Sequence, residues 1–99
     1  MGLGEGAMAQ FQVLLRGEHF RLAREGGEGY YGFLKTVYVQ SETADSACEY
    51  AVKQAISDPD FRSSVRNAAD DPPAMNVEDC SEIEKDPNLQ DGPFIYTPE

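Results

Sequence analysis

The chain has no tryptophan, one histidine and two cysteines, and each scarcity closes off a class of function. A lone histidine, His19, leaves a His-based metal cluster or a Cys-His-Asp triad with too little to work with. Cys48 and Cys80 are too few for a disulfide framework, and with His19 they lack zinc-ligand spacing. With no export signal they read as reduced thiols of a cytosolic protein. Cys48, on the apolar side of a helix, then behaves as a small hydrophobe. Long apolar runs are missing too: none approaches the roughly 18 residues of a membrane span. The opening MGLGEGAMAQ lacks the basic and apolar regions of a signal peptide, so residues 1–9 read as a flexible leader, with Met8 an alternative start.

Basic residues are also sparse. Eight Lys and Arg face eighteen Asp and Glu, a net charge of -10. Residues 1–40 balance Arg16, Arg21, Arg24 and Lys35 against Glu5, Glu18, Glu25 and Glu28, so the whole excess lies in residues 41–99. Such a field repels phosphate backbones and disfavours nucleic acid. It suits solubility or a basic protein partner. A 40% hydrophobic content and a mean hydropathy of -0.51 fit one soluble globular domain over residues 10–99.

The stretch around which the chain is organised runs from Gly32 to Ile56, GFLKTVYVQSETADSACEYAVKQAI. Its β-branched and aromatic opening reads as a strand. At Ser41–Thr43 the period changes, Thr43 supplies an N-cap and Asp45 a favourable first-turn charge. Ala44, Ala47, Cys48, Ala51, Val52, Ala55 and Ile56 then recur at helical spacing on one face. Pro59 stops the helix, and residues 58–67 predict one or two further turns anchored by Phe61 and Val65.

Before this stretch, Phe11, Val13 and Leu15 alternate as in a strand, and Phe20 and Leu22 follow in the opposite parity. A parity change at Gly17-Glu18 is what a β-bulge produces, so residues 10–23 form one long bent strand or two short ones. REGGEG, residues 24–29, predicts a hairpin turn. After the helices, the turn-rich NAADDPP precedes a last main strand, Ala74–Ile83, whose acids suit a protected edge. The apolar Phe94-Ile95-Tyr96 near the C-terminus is expected to dock on an exposed sheet face or edge.

No motif carries a cofactor. GGEGYYG precedes a strand, where a phosphate loop would open a helix, and it lacks the Lys-Ser/Thr of a P-loop. Asp86, Asn88 and Gln90 before Gly92 miss the register of a calcium loop. Asp70-Asp71, in a proline turn, read as solvated and unperturbed. Tyr30, Tyr31, Phe33 and Tyr38 with nearby cations carry the residue types of a single-strand nucleic-acid platform. The four acids that match those cations favour core and protein contact.

The chain resembles a group of small uncharacterised bacterial proteins. The resemblance rests on an opening like FQVLLRGEHFRL, then GFLKTVYVQSETADSACEYAV, a DDPP turn before an acidic strand and a tail like FIYTPE. It covers most of residues 9–99 and implies a shared fold. A second likeness, of topology, is to HicB-type antitoxin domains, whose third strand runs into a helix through a Thr-rich cap as VQSETADSA does here. The strand spacing differs, and their DNA-binding extension has no counterpart.

The expected fold is α+β: a mainly antiparallel sheet of three to five strands in β-β-β-α-β order, one principal helix on one face, and an aromatic segment at residues 93–99. The expected function is a cytoplasmic, non-catalytic protein-interaction module that forms a homodimer through a sheet face or edge. The candidate interaction surface is Tyr31, Leu34, Thr36, Tyr38, Phe94 and Tyr96. Two alternatives stand beside it. One is an antitoxin-like or inhibitory partner of a basic protein, acting through Glu78, Asp79, Glu82 and Glu84. The other is a small-ligand or enzymatic domain with a pocket between helix and sheet. No catalytic residue, cofactor, metal, nucleic acid or membrane is implied.

Overall fold

A computed structural model describes residues 8–99. The leader expected over residues 1–9 lies almost wholly outside them, and Ala9 already opens the first strand. That strand, β1 (Ala9–Arg24), pairs antiparallel with β2 (Gly27–Ser41) along its whole length. Sixteen residues at about 3.3 Å each make a hairpin roughly 50 Å long, so the molecule measures 55 × 28 × 21 Å. Its two-residue turn, Glu25-Gly26, leaves Gly26 at φ +96° and Gly27 at φ +124°. Only glycine takes both without steric cost.

Residues 10–23 are thus one strand, not two, and the chain order is β-β-α-α-β-β. The expected bulge is present: Gly17 opposes Phe33 and Phe20 opposes Tyr31, so Glu18-His19 carries one residue more than β2. His19 sits at φ +61°, in the left-handed region that non-glycine residues seldom visit. The extra residue returns Phe20 and Leu22 to the face that already holds Phe11, Val13 and Leu15, and all five are buried.

Helix α1 (Ala44–Ile56) begins where the Thr43 hydroxyl accepts the Ser46 N–H at 3.1 Å. It presses Ala47, Ala51 and Ala55, all fully buried, onto Phe11, Val13, Leu15, Val37 and Val39. Alanines bury little area individually. Their value is proximity, because small side chains let the helix backbone approach the sheet. Ala44 and Ile56, expected on the same face, remain exposed. The six-residue α2 (Pro59–Ser64), capped by Asp58, lowers Phe61 into a second cluster with Phe20, Leu22 and Phe33.

Strand β3 (Ala74–Ile83) pairs with the lower part of β1, with a second irregularity at Glu78, and β4 (Ile95–Pro98) pairs with β2 from Tyr31 to Leu34. The order across the sheet is β3-β1-β2-β4. Both helices and both core clusters lie on one face, the hallmark of a two-layer α+β domain.

Candidate functional site

The other face of the sheet carries Gln10, Gln12, Leu14 and Arg16 from β1, and Leu34, Thr36, Tyr38 and Gln40 from β2. Ile83 and Ile95 join it from the two flanking strands, opposite Gln10 and Leu34 respectively. Neither helix touches it. Residues 84–93 cross one end, where the Gln10 side chain accepts the Asp86 N–H at 2.9 Å and the Gly92 N–H donates to Thr36 O at 2.9 Å. The Tyr38 hydroxyl donates to Gln12 at 3.4 Å, holding its ring along the sheet. Among the described residues no helix covers the middle of the face, where Leu14 and Leu34 are half-buried and Ile95 is 60% exposed.

Of the six residues expected to form one interaction surface, Leu34, Thr36 and Tyr38 share this open face. Tyr31, Phe94 and Tyr96 lie on the helix side. The cause is register: β4 opposes Phe33 with Tyr96, and opposed residues of an antiparallel pair point the same way. The tail therefore completes the edge of the sheet and part of the core, and does not lie across the Tyr/Leu face. Phe94 stacks on Phe61 at 4.5 Å and Tyr96 on Phe94 at 5.9 Å, while the Arg24 guanidinium caps Tyr96 at 4.1 Å. Beside this stack lies an open cleft of about 730 Å³ between α2 and the hairpin tip, walled by Arg24, Lys35, Asp58 and Asp60. Lys35 is tied down by a 2.6 Å bond to Gly92 O and lies 4.6 Å from the centre of the Phe94 ring. Burial in this aromatic environment raises the Tyr96 pKa.

The four acids of the second expected face do not share one face. Asp79 opposes Leu14 on the open side, Glu82 opposes Phe11 on the helix side, and Glu84 lies past the end of β3. Glu78, at the irregularity, accepts from Arg16 Nε at 2.9 Å. Together they surround a strand whose outer edge pairs with none of the described residues.

A further group was not legible in sequence. His19 Nε2 lies 2.6 Å from Asp71 Oδ1, and the Tyr30 hydroxyl donates to Asp71 Oδ2 at 2.6 Å. The His19 and Tyr30 rings stack at 4.5 Å, and the His19 N–H donates to the Glu99 carboxylate at 2.8 Å. Asn67 accepts the Arg21 N–H and donates to His19 O, standing in for a strand partner beside the bulge. The reading of Asp71 as an unperturbed turn acid is corrected here. Its bond from Tyr30, then its bond to His19, hold its pKa below the ordinary value, and Tyr30 is raised in turn, chiefly by Asp71. Chemically this is a three-way clamp joining the bulge, the turn before β3 and the C-terminal residue. Among the described residues no group of three or more His, Cys, Asp or Glu is placed to hold a metal. Nor is any described helix long and apolar enough to cross a membrane.

Comparison with protein-family models, curated proteins and solved structures gives no match to this chain.

Proposed function

We propose that the protein is a cytoplasmic, non-catalytic interaction module that forms a homodimer through the open face of its sheet. The observation that carries this reading is the row of half-buried Leu14 and Leu34 and exposed Ile95 on the face opposite the helices. Charge supports it. In a two-fold dimer each patch meets its own copy, so a patch with unpaired charge repels itself. On this face Arg16 is paired with Glu78 and Arg21 with Glu28, each at 2.9 Å. That leaves an apolar centre whose rim carries two ion pairs, with Asp79 opposite Leu14 a further acid beside it, in a molecule that is otherwise strongly acidic. The free edge of β3 suits self-pairing poorly, because two copies would align Asp79 and Glu82 against like charges.

Sedimentation velocity over a wide concentration range tests the reading. Wild-type protein should self-associate, and Ile95→Glu with Leu34→Glu should be monomeric with an unchanged circular dichroism spectrum. A wild-type monomer at every concentration would remove the proposal.

The β3 edge supports a second reading, the inhibitory partner of a basic protein. Acids on both sides of an unpaired strand disfavour a second copy yet complement an extended basic segment added to the sheet. Capture of an extended Lys/Arg-rich peptide should then be lost when Glu78, Asp79 and Glu82 are changed to Lys. Equal capture by both proteins would rule this reading out.

A further inference from the structure

We propose that Cys48 and Cys80 are the two halves of an oxidisable thiol pair, which closes into an intramolecular disulfide when a small-molecule disulfide reaches it and so staples α1 to β3. They are the only two cysteines in the chain, thirty-two positions apart in sequence, and the sheet order brings them together. Cys80 opposes Val13 on the helix side of β3. Its Sγ lies 4.0 Å from the Ala44 carbonyl oxygen, the acceptor that an α-helix pairs with the N–H of residue 48. Ala44 lies one helical turn before Cys48, and Cys48 in turn lies beside Val77 of β3, so both cysteines sit where α1 meets β3. Neither is sealed in: both are half-buried.

The two sulfurs differ in access. Cys48 lines an open, apolar dent of about 350 Å³ with Val52 and Val77, whereas Cys80 packs against the core beneath α1. Burial, with Cys48 and the carboxylates of Asp79 and Asp45 nearby, pushes the Cys80 thiol up to about 11. Cys48 is therefore the sulfur that an incoming reagent meets first, and Cys80 the one that resolves.

The chemistry balances as two exchanges. The Cys48 thiolate attacks one sulfur of the small disulfide, whose S–S bond breaks and whose first thiolate leaves and takes up a proton. Cys80 then gives its proton to solvent and attacks Cys48 Sγ in the mixed disulfide, displacing the second small thiolate. Two protein thiols are oxidised and one small disulfide is reduced to two thiols. The acids around the pair favour a cationic reagent over an anionic one, which makes cystamine the probe of choice and oxidised glutathione the slower comparison.

The experiment treats the native full chain with cystamine in a cysteamine buffer and reads intact mass, non-reducing gel mobility and thermal unfolding. The expected product is a monomer lighter than the reduced chain by about 2 Da, with Tm raised by about 10 °C. Cys80→Ser should stop at a single mixed adduct on Cys48. Stable adducts on both cysteines of the wild-type chain would overturn the proposal. So would a disulfide-linked dimer, or no reaction under conditions that oxidise the urea-unfolded chain. These readouts use wild-type protein, so the proposal stays open to refutation even where a serine variant folds poorly.

Discussion

The bulge at Glu18-His19 divides the helix-covered face of the sheet into two cores built on different principles. Below it, Phe11, Val13, Leu15, Val37 and Val39 pack against three alanines of α1. Most of these contacts join segments adjacent in the chain, a strand, its hairpin partner and the helix that follows. Above it, Phe20, Leu22, Phe33 and Phe61 pack with Phe94 and Tyr96, rings gathered from both hairpin arms, α2 and the C-terminal strand. Phe33 is the hub, its ring 5.1 to 5.4 Å from those of Phe20, Phe61 and Phe94. The aliphatic half is a local structure closed by proximity. The aromatic half exists only once the hairpin, α2 and the C-terminal segment have met.

Truncating the hub should separate the two halves most sharply. Phe33→Ala is expected to cost about 4 kcal/mol, against about 2 kcal/mol for Val37→Ala in the aliphatic half, read from urea unfolding. Next comes Phe94→Ala, expected to cost about 3 kcal/mol. It should speed amide exchange in residues 20–33 far more than in residues 11–15; equal acceleration in both would mean the two cores open as one.

Gly17 lies at the seam, where a Cβ would enter the Phe33 ring. Gly17→Ala should therefore cost about 2 kcal/mol through overpacking, and the loss should shrink in a Phe33→Leu background. A neutral Gly17→Ala would mean that the ring shifts freely.

The smallest effect belongs to the clamp beside the seam. Asp71 is held below its ordinary pKa, so its contribution is complete above about pH 4 and is lost as the pH falls through the lowered value. Tyr30 is raised, so its contribution is complete below about pH 10 and is lost as the pH rises through the raised value. Tyr30→Phe should leave the melt at neutral pH nearly unchanged while moving the Asp71 carboxyl titration, followed by NMR, back towards ordinary carboxylates.

The same division explains what could be read in advance. The bulge was visible in the parity of Phe20 and Leu22, the helix in the alanine spacing, and the hairpin in its glycines, since each depends on neighbours within a few residues. The docking of Phe94-Ile95-Tyr96 was also visible, but not its face, because a one-residue change of register against β2 exchanges the two sides. The aromatic surface therefore separated into Leu34, Thr36 and Tyr38 on one side and Tyr31, Phe94 and Tyr96 on the other. His19 gave no local sign of its partners, which stand fifty-two and eighty positions away. Cys48 and Cys80 were likewise read singly, because only the placement of β3 beside β1 makes them neighbours.

The extra residue at Glu18-His19 also acts as a frameshift written in side chains. Below it the odd-numbered residues of β1 face the helices, and above it the even-numbered ones do. Pairing both residues as ordinary strand would leave every side chain intact, yet it would turn Phe20 and Leu22 out to solvent and Arg21 inward, whereas deleting one of the two would keep the pairing of Phe20 with Tyr31 and its face. The chain thus tolerates a left-handed histidine because that one conformation keeps two cores on the same side of a single sheet.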